Sequence, residues 1–224
     1  MRSVIEKENK RQFVNLKDEY REKKFYSFLK RSFDVFFSMI AIIVSSPVML
    51  ILAIIIKLDG GPAIYKQVRV GKNGKKFVIY KFRSMIQNAD APEIIKELKD
   101  KNEMDGPMFK IEKDPRVTKI GSFIRKTSLD ELPQFFNILF GNMTFVGPRP
   151  PLPSEVEAFD EYQKQKLLVK QGLTCYWQCS GRNSIMFDEW IELDLKYIKE
   201  RSILTDLKII LKTIPAVITR KGAE

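Results

Sequence analysis

Histidine is absent from the 224 residues. No Ser-His-Asp or Cys-His nucleophilic arrangement and no His-ligated zinc site can therefore be assembled. Cysteine is almost as scarce, with Cys175 and Cys179 spaced i, i+4 in TCYWQCSG. Without a histidine they cannot complete a four-ligand zinc site, and they read as reduced, partly buried thiols. Acidic residues are outnumbered, 28 against 39 Lys and Arg, for a net charge of +11. An acidic partner is expected: an anionic membrane surface, where each nearby Lys or Arg contributes about 1 kcal/mol, or nucleic acid as the alternative. No internal repeat or low-complexity segment occurs. The first apolar run starts too far from Met1 and is too long for a signal-peptide core, so the polar body is expected to stay in the cytoplasm.

That apolar run, Val35–Ile56, holds 22 residues without one charge. As an unbroken helix it reaches about 33 Å, enough for a bilayer core of roughly 30 Å. Two features oppose a simple crossing. Ser45-Ser46-Pro47 interrupts its middle, where proline removes an amide donor and crowds the preceding turn. Basic residues flank both ends, Arg21, Lys23, Lys24, Lys30 and Arg31 before and Lys57, Lys66, Arg69, Lys72, Lys75 and Lys76 after, so neither end is marked as the cytoplasmic one. A helix-break-helix hairpin that enters and returns satisfies both, with Ser45 and Ser46 available to backbone groups freed at the break. A single spanning helix is the competing reading.

Around the run, Phe28, Leu29 and Phe33 at helical spacing suggest an interfacial approach helix. Arg31 and Asp34 suit either an i, i+3 pair or separate boundary anchors. After the run, Asp59-Gly60-Gly61-Pro62 releases the chain. Ala63–Val70 and Lys75–Phe82 read as a β-hairpin about Asn73-Gly74. Helical patterns cover Ala91–Asn102, residues 155–170, Phe187–Tyr197 and Leu204–Ile218; the last suits a core helix or one lying in the bilayer interface. Hydrophobic content of 44% suffices for one core.

The chemically densest stretch is Arg125–Pro151, RKTSLDELPQFFNILFGNMTFVGPRPP. Pro133 is tolerated only near a helix start, which places Asp130 and Glu131 in a first turn. A capping role accounts for them: Ser128 to Glu131 fits a capping box, or Asp130 is the cap. A chemical role is the alternative. Arg125, Lys126 and Arg149 bracket the acids, and a rigid GPRPP segment can hold Arg149 for bidentate contact with phosphate, or in a structural ion pair. A carboxylate pair with flanking arginines suits phosphoryl transfer with a hard cation, and without histidine the nucleophile or base should be a carboxylate.

Five segments taken together carry a family resemblance: Lys30-Arg31-x-x-Asp34, the Ser46-Pro47 break, KFRSM at Lys81–Met85, the stretch from Asp114 to Pro150, and Leu193–Thr213. Over residues 26 to 216 the chain resembles the bacterial sugar transferases, the monotopic polyprenyl-phosphate hexose-1-phosphate (phosphoglycosyl) transferases. The resemblance implies transfer of a sugar 1-phosphate from a nucleotide diphosphate sugar, usually a UDP-sugar, to undecaprenyl phosphate. It implies attack by Asp130 to give a covalent phosphosugar intermediate, assistance from Glu131, and Mg2+ held at Asp130. It further implies phosphate binding by Arg125 and Arg149, with Lys81 and Arg83 as weaker candidates. Ser46 and Pro47 become the break of a re-entrant membrane helix.

The resulting expectation is a mainly helical α+β protein, with a re-entrant membrane anchor, a cytoplasmic catalytic domain carrying a small β-hairpin, and interfacial amphipathic helices. Its divisions are 1–25 as an N-terminal extension, 26–58 as approach and re-entrant helix, 59–216 as the transferase domain and 217–224 as a tail. The expected setting is the bacterial inner membrane, monotopic, with the catalytic domain facing the cytoplasm and phospholipids as partners. Nucleic acid is not expected, and a homodimer stays open. Thr174–Phe187 is assigned to sugar recognition by position only. A membrane-tethered nucleic-acid-binding or scaffold protein is the competing class.

Overall fold

In the computed structural model the described residues are 16–98, 100, 102–103, 106–107, 111, 113–179 and 185–218. Most of the N-terminal extension and of the tail, and residues 180–184 of the segment assigned to sugar recognition, lie outside them.

A short helix, α1 (Leu16–Glu19), precedes α2 (Lys24–Leu58), which joins the approach segment and the apolar run into one element of 35 residues. The helix continues through Pro47. Pro47 has no N–H for the carbonyl of Ile43, and the Ser46 hydroxyl donates to that oxygen instead at 2.8 Å; Ser45 donates to Ala41 O at 2.6 Å. The serines thus satisfy backbone groups beside the proline, as the sequence suggests, without an end to helical geometry.

Strands β1 (Ile64–Val70) and β2 (Lys76–Phe82) follow as an antiparallel hairpin, from Ile64 opposite Phe82 to Val70 opposite Lys76. Its turn is a single 3-10 turn, Lys72–Gly74, with Asn73 at φ 56°. Of the helix expected over Ala91–Asn102, the described residues show α3 (Pro92–Glu97), which ends at Leu98, whose side chain is buried. Next come α4 (Lys119–Lys126), α5 (Gln134–Leu139) and β3 (Thr144–Val146).

Residues 155–170 are not one helix. They divide into α6 (Pro153–Ala158), α7 (Glu161–Lys164) and a 3-10 turn at Gln165–Leu168. Phe159 turns extended to enter the core, and Asp160 then caps a new start by accepting from Gln163 N. β4 (Gly172–Thr174) pairs parallel with β3, and α8 (Tyr176–Cys179), α9 (Phe187–Glu200) and α10 (Ile203–Ile218) complete the described chain. Among the described residues the fold is mainly helical with two small two-stranded sheets.

The largest core cluster gathers Val146, Phe159, Trp190, Ile191, Leu195, Tyr197, Ile198 and Ile209 around α9. Leu16 also belongs to it, so the end of the extension is packed. A second cluster joins Leu52 and Ile56 of α2 to Ala63, Phe82 and Ile124. Each fully buried aliphatic chain of this kind contributes about 1.5–3 kcal/mol.

Helix α2 is held to this body at both ends. Near its start, Arg31 does not pair with Asp34. It donates to Ile138 O and Leu139 O, both at 2.7 Å, at the C-terminus of α5, where a cation also meets the negative end of the helix. Asp34 is buried and accepts from Thr144 Oγ1 and Phe145 N, each at 3.0 Å. Lys30 pairs with Asp206 of α10 at 2.6 Å. At the other end Arg83 donates to Ile56 O at 2.8 Å. Just outside the helix, Glu22 pairs with Lys72 of the hairpin turn at 2.8 Å. Between these ties the helix carries exposed apolar side chains, with Ile43 68% and Val44 73% exposed.

Candidate active site

Two surfaces converge on Asp130. The first is β2, whose last residues bring Lys81 to the turn before α5. The second is that turn itself, a 3-10 segment at Leu129–Glu131 preceded by Ser128 at φ 57°. Ser128 makes no side-chain capping bond, and α5 begins only after Pro133. The capping account of the acidic pair is thereby corrected: proline delays the helix by a turn, and neither Ser128 nor Asp130 occupies its cap position.

The lock between the two surfaces is Asn137. Fully buried, it accepts from Tyr80 N at 2.9 Å and donates to Val78 O at 2.7 Å, fixing α5 on β2. Lys81 Nζ then reaches Glu131 Oε1 at 2.7 Å and lies 3.7 Å from Asp130 Oδ2. Asp130 is 9% exposed, and its carboxyl is pushed up from 3.8 to about 6. Burial is the main cause and Glu131 adds to it, while Lys81 and Arg125 oppose it. A carboxylate of this kind is mostly ionised at neutral pH and is more basic than an exposed aspartate.

Arg125 is half-buried near the end of α4. Among the described residues its guanidinium has no hydrogen-bond or ion-pair partner, and it acts on Asp130 through space. Helix α4 is seated by Gly121, where a Cβ would meet Ser84 O at 1.8 Å, and by Thr118, whose hydroxyl caps the helix through Gly121 N. Because Ser84 directly follows the KFR segment, this close approach sets Arg125 beside the strand end that carries Lys81.

The remaining predicted residues make other contacts. Arg83 is buried on the carbonyl of Ile56 and ties α2 to the hairpin. Arg149 lies over the Trp190 ring at 5.5 Å, and Trp190 in turn stacks on Trp177 at 4.6 Å. Arg149 also adjoins Arg69, whose guanidinium is held by Gln67 and by Pro150 O. Arg69 is pushed down to about 10, first by burial and then by the charge of Arg149. Sequence reading missed Arg69 and the buried Lys166–Asp194 pair, 2.7 Å apart, beside Trp190. Its only signal for the former was a basic residue on the strand facing GPRPP.

No group of three or more Asp, Glu or Cys suited to a metal occurs among the described residues. Two adjacent carboxylates nevertheless fit magnesium, which takes one or two protein carboxylates and completes its shell with water and substrate phosphate oxygens.

Comparison with known proteins gives the same direction. A family model described as bacterial sugar transferase matches residues 25–220. The chain is 50% identical over 206 residues to the galactosyl transferase CpsE of Streptococcus agalactiae, covering 90% of this chain and 45% of that protein. It is 45% identical over 203 residues to the undecaprenyl-phosphate galactose phosphotransferase of Salmonella typhimurium, covering 88% and 42%. With the exopolysaccharide production protein ExoY of Sinorhizobium fredii it shares 42% identity over 197 residues, covering 87% of each. The chain thus spans under half of the first two relatives and nearly all of the third.

Proposed function

Because the chain belongs to the bacterial sugar transferase family, we propose that it transfers a sugar 1-phosphate from a UDP-sugar to undecaprenyl phosphate through a covalent intermediate on Asp130. The observation that carries this reading is the state of Asp130: buried, freed from capping, more basic than usual, and flanked by Lys81, Glu131 and Arg125.

The chemistry follows from those charges. An Asp130 oxygen attacks the sugar-bearing phosphorus, and the bond from that phosphorus to the UMP oxygen breaks, the electron pair leaving with UMP. A phosphate oxygen of the lipid then attacks the same phosphorus and releases the carboxylate. Neither attack needs a general base, since the carboxylate is ionised and a phosphate monoester with a second pKa near 6 is largely dianionic at neutral pH. This accounts for a phosphoryl-transfer site without histidine. Glu131 then serves charge placement, holding Lys81 at 2.7 Å so that its ammonium can face the transferred group. Arg125 is available for a substrate phosphate, and Arg149 supplies a second guanidinium on the GPRPP segment. Magnesium, held at Asp130, would supply neutralisation of the diphosphate.

The membrane anchor belongs to the same proposal. We read α2 as re-entrant, with both ends on the cytoplasmic face of the inner membrane. Supporting this, both ends rest on one body, and Glu22 before the helix pairs with Lys72 after it at 2.8 Å. A crossing would separate these flanks by the roughly 30 Å hydrocarbon core. The exposed apolar residues of α2 then face lipid, and the site lies where a lipid phosphate is available.

A panel of UDP-sugars with undecaprenyl phosphate, scored by UMP release, tests reaction and donor together. The galactose in the Salmonella relative's name makes UDP-galactose the first donor to try. Loss of release in Asp130→Asn with membrane association intact is expected. Unchanged release would remove the nucleophile assignment, and no release from the wild type with any donor would remove the reaction.

A further inference from the structure

We infer that a cavity between α2 and α10 is the seat of one acyl chain of a membrane phospholipid, which wedges α10 against α2. The inference rests on the membrane placement of α2 proposed above and adds to it a specific lipid site.

The cavity holds about 130 Å³. Its apolar walls are Phe33 of α2, Phe145 and Val146 of β3, and Ile203, Leu207 and Ile210 of α10. Three ionisable residues share the lining, and each is engaged within the protein. Asp34 accepts from Thr144 Oγ1 and Phe145 N. Lys30 pairs with Asp206, which also accepts from the hydroxyls of Tyr26 at 2.9 Å and Tyr197 at 2.8 Å. The site therefore offers a ligand hydrocarbon contact rather than charge. Water is a poor occupant, since it needs two to four polar partners, and an empty void forfeits the dispersion contacts of its lining.

The rims identify the hydrocarbon. Phe33, Ile203 and Leu207 line the cavity and are also exposed, so it opens between the two helices. Around the axis of α10, Asp206 and Ile209 are buried, Ile203, Leu204, Leu207, Leu211 and Ile214 form an exposed apolar stripe, and exposed Lys208 and Lys212 lie beyond it. An apolar stripe bordered by lysines is the pattern of a helix lying in a membrane interface. On the α2 side, the Phe33 ring lies 6.2 Å from Phe145 and 4.1 Å from the exposed Phe37, so an aromatic row leads from the cavity wall onto the uncharged run. The opening is thus continuous with the apolar surface that the proposed placement puts in lipid. Position separates this chain from that of the acceptor. Leu129 and Leu132, which flank Asp130 and Glu131, pack with Leu52 and Ile56 near the end of α2, whereas the cavity lies at Phe33 and Asp34 near its start. The acceptor phosphate is needed at the first place, and bulk phospholipid is always present at the second.

The test uses the purified full chain in nanodiscs of phosphatidylcholine and phosphatidylglycerol, with a diazirine midway along one acyl chain of part of the phospholipid. After irradiation, peptide mass spectrometry should find label on Phe145, Val146 or Ile210 as well as on Ile43 and Val44. Leu207→Trp, which fills the cavity, should lose the first set and keep the second. Label on Ile43 and Val44 alone in the wild type would overturn the inference, the cavity then being covered by another part of the chain or a second copy. Cavity label that persists in Leu207→Trp would overturn it too, and cavity label displaced by a small amount of undecaprenyl phosphate would assign the site to the acceptor instead. Failure to label Ile43 and Val44 would remove the membrane placement on which the inference rests.

Discussion

Asp130 stands 3.7 Å from the Lys81 ammonium, while the same ammonium is bonded to Glu131 at 2.7 Å. The nucleophile proposed here is therefore not the partner that Lys81 grips. Its oxygens feel the cation without being occupied by it, as an attacking group requires.

A pH dependence follows. With the Asp130 carboxyl at about 6, the rate of UMP release should rise with pH through that value and level off above it. Removing Lys81, which lowers this value, should move the midpoint upward in Lys81→Met and reduce the plateau rate by at least about tenfold. Initial rates from pH 5 to 8 check both; a midpoint unmoved by the substitution would separate Lys81 from Asp130.

Burial of Asp130 should also show in stability. Its folded value lies above the ordinary 3.8, so the folded state holds the proton more tightly and the carboxylate form costs stability. The cost is fully present above about 6 and absent below 3.8, and reaches at most about 3 kcal/mol. Asp130→Asn should therefore be inactive and more stable at pH 7.5, with the gain shrinking as pH falls towards 4. Paired melting curves at the two pH values measure it.

Gly121→Ala should be among the most damaging single-methyl additions. The new Cβ would lie 1.8 Å from the Ser84 carbonyl oxygen, backbone that cannot yield like a side chain. A loss of about 1–3 kcal/mol or more is expected, with activity falling further because Arg125 shifts with α4. Comparison of unfolding midpoints with specific activity distinguishes the two effects.

The re-entrant reading of α2 predicts that cysteines introduced at Arg21 and at Lys72 react with a membrane-impermeant reagent from the same side. Labelling from opposite sides in sealed inverted vesicles would show a crossing helix.

Divalent chelation should stop UMP release, and added Mg2+ should restore it. Full activity in excess chelator would leave Lys81, Arg125 and Arg149 as the whole charge complement.

The hairpin, the long apolar helix and the last two helices were legible because each rests on local signals: an Asn-Gly turn, an uncharged run, and helical spacing of apolar residues. The Asp130–Glu131 pair was legible from Pro133, although whether it capped a helix depended on Ser128 adopting φ 57°, which no local pattern announces. The β3–β4 pair was missed because three-residue strands carry no periodicity and their partners lie far apart in the chain. Residues 155–170 misled for a related reason. Their helical spacing is real, but burying Phe159 overrode it. Arg31 and Asp34 were weighed as partners of each other or as boundary anchors, and tertiary structure gave each a distant backbone partner instead.

Those two residues have a mechanical consequence. Arg31 and Asp34 moor one end of α2 and Arg83 the other, so the body cannot pivot freely on this helix. On the re-entrant reading proposed above, the depth at which the helix floats in the leaflet then dictates the height of the Asp130 carboxylate above the headgroups. Bilayer thickness or lateral pressure, acting on exposed side chains such as Ile43 and Val44, thereby becomes a variable that the catalytic rate can register.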